Sequence, residues 1–172
     1  MERIKRIEIK NFRSISHIVI SPEQIKKLTI LSGNNDIGKS NILRALNLFF
    51  NGETDIGKEF DFQDDFNKTK PKSSGKGQYV QISLDIEVLY ETDKILRWKK
   101  KWNSNGLLEK EYDWQLYDKD WQPAEFIKSS RAPRWLKERL IFRYVPAIKS
   151  PKYFEFLYSQ MYQVLNATYS RE

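Results

Sequence analysis

A chain of 172 residues, 40 % of them hydrophobic and 14 % aromatic, has the material for one domain with a sizeable core. The absence of cysteine excludes a disulfide framework and thiolate metal sites and fits a reducing cytoplasm, the expected compartment. The formal net charge of +7 favours polyanionic partners such as nucleic acid. No apolar run approaches the ~18 residues that a membrane helix needs, so no membrane partner is expected.

In chain order, residues 4–10 read as a strand with Ile7 and Ile9 on one face. Asn11-Phe12-Arg13-Ser14 is a polar break around one aromatic, and Ile15–Ile20 is a second strand that pairs back as a hairpin. Ser21-Pro22-Glu23 makes a turn, and Leu28-Thr29-Ile30-Leu31 is a short apolar run that suits a buried strand.

Residues 33–40 follow: Gly33-Asn34-Asn35-Asp36-Ile37-Gly38-Lys39-Ser40, the pattern G-x-x-x-x-G-K-[ST] of a phosphate-binding P-loop. The two glycines allow backbone angles and a close approach that side chains would block. The loop's N–H groups form an anion nest, and the next helix adds its unpaired amides and dipole. Lys39 is the expected catalytic residue, a point charge on the β- and γ-phosphates. Ser40 offers its hydroxyl to Mg²⁺, so ATP and Mg²⁺ are the expected ligands. Ile42, Leu43, Leu46, Phe49 and Phe50 recur at helical spacing over Ser40–Phe50, and Asn51-Gly52 ends the helix.

Residues 51–78 read mostly as polar loop; Asp61, Asp64 and Asp65 are candidates to cap the next element or to touch Mg²⁺. Tyr79–Leu89 then alternates with a period of two. Val80, Ile82, Leu84, Ile86 and Val88 point one way, and Gln81, Ser83, Asp85 and Glu87 point towards solvent. Leu96, Trp98 and Trp102 continue the alternation, Asn103-Ser104-Asn105-Gly106 is a hairpin turn, and Tyr112, Trp114 and Leu116 form the next strand. Residues 79–122 are thus a β-meander, and the chain is expected to mix two sheet types. A helix over 124–139 interrupted by Pro133, a strand over Leu140–Val145 and a helix from Pro151 complete the reading. On the last helix Phe154, Leu157, Met161 and Leu165 share a face that needs a cover.

Two basic clusters invite a nucleic-acid reading. Lys94, Arg97, Lys99, Lys100 and Lys101 interleave with Trp98 and Trp102, which either stack on bases or, the preferred reading, pack inside the meander. Arg131, Arg134, Lys137, Arg139 and Arg143 lie beside Trp135. Asp118-Lys119-Asp120 reads as a solvated turn, and His17, the only histidine, as a surface strand residue.

The segment Ile7-Glu8-Ile9-Lys10-Asn11-Phe12-Arg13-Ser14, followed by Gly33–Ser40 and Asn41-Ile42-Leu43-Arg44-Ala45-Leu46, resembles the N-terminus of ABC-type ATPases of the RecF/SMC group. The OLD family (overcoming lysogenization defect), which includes Gabija-type anti-phage defence nucleases, is the nearest resemblance. Phe142-Arg143-Tyr144-Val145-Pro146-Ala147 also resembles a tyrosine/proline stretch of such proteins.

The resemblance implies an α/β fold: an ABC-type P-loop ATPase lobe with a mixed sheet, an antiparallel β-subdomain and the start of a helical insertion. It places Asn11, Arg13 and Ser14 on a hairpin near the nucleotide, with Arg13 as a second phosphate clamp or else a turn residue in an ion pair. Asn41 joins Gly33–Ser40 as cofactor-binding. A Walker B acid, a signature motif and a glutamine loop are not evident in the sequence. Residues 1–150 are therefore expected to be the N-terminal half of an ATPase domain and 151–172 the start of an insertion, with the C-terminal half elsewhere. A homodimer or larger homo-oligomer, DNA and a partner defence subunit are the implied partners. A DNA-clamping ATPase of the RecF/SMC kind without nuclease activity is the alternative.

Overall fold

The computed structural model describes residues 3–25, 29–33, 38–69, 77–88, 94–108, 113–124 and 140–146, and, from the last segment, 151, 153–155, 157–159, 161 and 162. Strands β1 (Arg3–Phe12) and β2 (Ile15–Ile20) form the opening hairpin. The register pairs Phe12 with Ile15, so the turn is only Arg13-Ser14, and Asn11 and Phe12 belong to the strand. Helix α1 (Lys39–Asn51) follows, then the short pair β3 (Glu53–Asp55) and β4 (Lys58–Glu59), and one turn of helix α2 (Phe62–Asp65). The stretch read as loop is therefore partly structured. Asp61 caps α2 by accepting from Gln63 N–H at 2.8 Å.

The meander consists of β5 (Val80–Glu87), β6 (Ile95–Asn103), β7 (Gly106–Leu107), β8 (Asp113–Tyr117) and β9 (Pro123–Ala124). It is continuous with the opening hairpin. The order β2-β1-β5-β6-β8-β9, with β7 on β6, makes one sheet. Every pairing among the described residues is antiparallel, so the expected mixture of sheet types does not occur among them.

The alternation read from the sequence sets the inner face. Ile7, Ile9, Ile82, Leu84, Ile86, Leu96 and Trp98 are buried in one cluster with Ile42, Ala45, Leu46, Leu48 and Phe49 of α1. Phe49 meets Trp98 edge-on at 4.5 Å between centroids, and Trp98 stacks on Trp114 at 4.3 Å. Aromatic pairs in these geometries add to simple burial.

Three expectations need correction. Two of the four outer positions of β5 are not solvated, although Glu87 is exposed and Gln81 half-buried. Ser83 is 2 % and Asp85 1 % exposed, because β5 is central and the long side chains of its neighbours cover it. Arg97 of β6 grips Asp85 with two bonds, Nε to Oδ1 at 2.7 Å and Nη2 to Oδ2 at 2.9 Å, and Arg6 of β1 stands 3.6 Å from Oδ2.

Thr29–Leu31 is not a strand, and Ile30 is 77 % exposed; Leu28 lies outside the described residues. A strand exists by its ladder, and no described residue pairs with this segment. It borders instead a groove of about 430 Å³ shared with Ile18, Ile20 and Ile42.

Leu140–Val145 likewise has no ladder and is not a strand. It is held through side chains: Phe142 stacks on Phe50 at 5.6 Å, and Asn51 Nδ2 donates to the Phe142 carbonyl at 3.2 Å. The helix expected over 124–139 falls outside the described residues beyond Ala124. The described residues of 151–162 are helical, with Phe154, Tyr158, Met161 and Tyr162 exposed and Tyr153 buried. Leu165 lies outside them.

Candidate functional site

The chemistry concentrates at the N-terminal end of α1. Gly38 is the N-cap and takes the left-handed conformation, φ 92° and ψ 9°. A side chain there would be strained whatever the space. It would also have no room, since an added Cβ would sit 2.6 Å from Ser14 Oγ. Both demands explain the glycine. Among the described residues no side chain caps this end and no acid occupies the first turn, so the positive end of the helix has no fixed negative partner on the helix itself.

Lys39 starts the helix, and its Nζ donates to the Gly33 carbonyl at 2.7 Å, across the loop from its own backbone. Gly33 has φ 147°. Ser40 is exposed on the first turn. Asn34, Asn35, Asp36 and Ile37, predicted to contact the ligand, lie outside the described residues. The described set suits a phosphate group: a helix end kept clear by glycine, an ammonium within reach and a hydroxyl beside it. For Mg²⁺ it offers one hydroxyl, with substrate phosphates and water to complete the shell.

The β1–β2 turn docks against this end. Ser14 Oγ accepts from Asn41 Nδ2 at 2.9 Å, which joins two residues expected to contact the nucleotide. Arg13, with φ 47°, turns the other way. Its Nε donates to Asp65 Oδ1 at 2.7 Å, its backbone N–H to the Asp65 carbonyl at 2.8 Å, and its guanidinium lies 5.5 Å from the Phe12 ring centroid. Asp65 is fully buried, so it too is committed, with Oδ2 accepting from Asp61 N–H at 2.9 Å. Asn11 Nδ2 donates to the Tyr79 carbonyl at 2.9 Å, which ties the end of β1 to the entry of the meander.

Sequence reasoning missed a second layer. Arg44 donates through Nη1 to Asn41 Oδ1 at 3.3 Å and through Nε to Asp55 Oδ2 at 3.2 Å. Tyr144 shares the electrostatic environment of Arg44 and Asp55. Burial pushes its phenol above the ordinary value and Asp55 adds to this, while Arg44 and Arg13 oppose it. The helical spacing of Asn41 and Arg44 was a legible signal for the first link. Nothing in the sequence signalled Asp55, and Tyr144 stood out only as part of the tyrosine/proline stretch that carries the resemblance.

The basic cluster of β6 resolves into packing. Trp98 and Trp102 are buried, Arg97 is bound to Asp85, and Lys101 lies 5.3 Å from the Tyr79 ring centroid. Lys100 donates to the Phe49 carbonyl at the far end of α1 and sits 4.8 Å from the Phe49 ring centroid. Of the second cluster, Arg131, Arg134, Trp135, Lys137 and Arg139 lie outside the described residues.

His17 Nε2 meets Glu8 Oε1 at 2.8 Å on the outer sheet face. Asp118 closes its own turn, Oδ1 accepting from Asp120 and Gln122 N–H. Among the described residues no group of three or more acids or histidines could hold a metal, and no helix is long and apolar enough to cross a membrane.

Compared with known protein families, residues 2–168 match the profile described as AAA ATPase domain. No curated protein matches the chain.

Proposed function

Because the chain belongs to the AAA ATPase domain family, and so is an ATP-binding ATPase domain, we propose that it is the nucleotide-binding part of an OLD-type, ATP-dependent DNA nuclease that serves anti-phage defence. The observation that carries the reading is the start of α1, where Gly38 clears the approach and Lys39 spans the loop to Gly33. The contact of Ser14 with Asn41 supports the OLD assignment, because both residues belong to the segments that carry the resemblance.

In this reading Lys39 moves from the Gly33 carbonyl to the β- and γ-phosphate oxygens, and Gly38 admits them to the helix end. Ser40 would hold Mg²⁺ together with the phosphates, and the ion would supply neutralisation of the charge that develops on the transferred group. Water must then be activated by an acid. Asp85 cannot serve, being turned to the outer face and gripped by Arg97. We assign that acid, and the DNA-cutting centre, to polypeptide outside these 172 residues. In the same reading residues 1–150 form the ATPase lobe, and 151–172 lead into a helical insertion. The exposed Phe154, Tyr158, Met161 and Tyr162 support self-association through that insertion.

Titration of the chain with a fluorescent ATP analogue and Mg²⁺ at fixed ionic strength tests the core of this. Saturable binding is expected, and Lys39→Ala should weaken it by about 100-fold, the weight of a charge-assisted contact to phosphate. Equal binding by the two proteins, or none by either, sinks the reading. Cleavage of DNA by the complete protein, lost with the same substitution, tests the nuclease. ATP hydrolysis stimulated by DNA without cutting would replace it with a clamping ATPase.

A further inference from the structure

The first turn of α1 is connected outward to side chains that phosphate binding does not itself require. Asn41 is the junction. Its Oδ1 accepts from Arg44 Nη1 at 3.3 Å, and its Nδ2 donates to Ser14 Oγ at 2.9 Å. A guanidinium can only donate, so Arg44 selects the amide oxygen and leaves the nitrogen for Ser14.

Arg44 is held in turn. Its Nε donates to Asp55 Oδ2 at 3.2 Å, and Asp55 Oδ1 accepts from the Ile56 N–H at 3.0 Å. The Arg44–Asp55 pair has side chains 28 % and 31 % exposed. A pair so accessible contributes little to stability, which leaves its placement on the nucleotide side of the helix to be explained by another role.

Ser14 is where the chain of bonds ends. It is exposed, faces Gly38, and among the described residues its hydroxyl accepts from Asn41 and donates to none. With its oxygen engaged by a donor, its remaining capacity is its own O–H, the group that a phosphate oxygen can receive.

We propose that Arg44 is a positioning residue for the ATP site: anchored by Asp55, it fixes the Asn41 amide so that Ser14 presents its hydroxyl as a donor to substrate phosphate. The inference rests on the reading of the α1 start as an ATP site.

Binding of the same ATP analogue with Mg²⁺ to the chain, run beside thermal melting, tests it. Arg44→Gln and Ser14→Ala should each weaken binding by about five- to tenfold, the weight of a single hydrogen bond, with melting little changed. In the Ser14→Ala background Arg44→Gln should cost nothing further. Arg44→Lys, which can still donate to Asn41, should recover part of the loss. Asp55→Asn, which keeps the shape and removes the anchoring charge, should give the same Ser14-dependent loss and replaces Arg44→Gln if that variant melts early. An Arg44→Gln protein that binds as wild type, or that loses the same factor with and without Ser14, overturns the proposal. If such a result comes while Lys39→Ala still abolishes binding, only the positioning role falls. If the unaltered chain does not bind ATP, the ATP reading falls and takes this inference with it.

Discussion

Helix α1 begins and ends on glycines of almost the same backbone shape, Gly38 at φ 92° and ψ 9° and Gly52 at φ 80° and ψ 2°. The two ends are otherwise opposite. At the C-terminal end the Gly52 N–H returns to the Leu48 carbonyl at 3.1 Å, Lys100 donates to the Phe49 carbonyl, and Asn51 Nδ2 reaches Asn47 Oδ1 at 2.7 Å. A cation placed there complements the negative end of the helix dipole. At the N-terminal end, among the described residues, no side chain caps and no acid lies in the first turn. One end is built for stability. The other, in the proposed reading, leaves its electrostatic potential to the substrate phosphates.

Two matched substitutions break this comparison most sharply. Gly38→Ala and Gly52→Ala share a left-handed strain of about 1–2 kcal/mol. A Cβ at Gly52 meets open space, whereas at Gly38 it meets Ser14 Oγ. Gly52→Ala should therefore lower stability in denaturant by about 1 kcal/mol and leave ATP affinity intact. Gly38→Ala should cost more stability and also abolish measurable ATP binding. Equal affinity in the two variants would mean that the start of α1 is not the site.

Lys100→Met comes next. It keeps much of the apolar stem over Phe49 and Trp98 and removes the charge on the helix end. Chemical denaturation should show a loss of about 1–2 kcal/mol, with ATP titration unchanged. A loss of affinity instead would show that the two ends are not independent.

The smallest effect at neutral pH concerns neither end. Burial alone would raise the Glu8 carboxyl. The hydrogen bonds from Lys10 and His17, with the charges of Arg6 and Lys10, outweigh it and hold the group at about 2, against an ordinary 4.5. Because the folded value is the lower one, this stabilisation is complete above about 4.5 and is lost as pH falls towards 2. Glu8→Gln should flatten the stability profile in that window, lower stability modestly at pH 7, where the ion pairs are complete, and converge with wild type as pH falls towards 2. An unaltered slope would show that Glu8 does not govern acid unfolding.

The sequence made some of this legible and hid the rest for identifiable reasons. The hairpin, the extent of α1 and the inner face of the meander follow from period and punctuation, which are local. That β1 lies beside β5, almost seventy residues later in the chain, does not, because alternation gives a strand its face but not its neighbour. Asp85 looked solvent-facing for the same reason: its cover, Arg97 and Arg6, comes from the two flanking strands. Thr29–Leu31 has the composition of a strand without the ladder that would make it one. At the candidate site Gly38, Lys39 and Ser40 were readable from spacing alone, and Ser14 and Asn41 from the resemblance. Asp55 carried no pattern, since it meets Arg44 only after folding, and the stretch that holds Tyr144 gave no sign of its neighbours.

The grip of Arg97 and Arg6 on Asp85 also acts as an alignment key. Sliding β5 by one position against either neighbour would swing the carboxylate from its two guanidinium partners into hydrocarbon, while Leu84 and Ile86 would emerge on the wrong side. A sheet whose middle strand tolerates a single alignment has few misassembled competitors, so the hairpin turn that carries Ser14 arrives beside the helix in one place only.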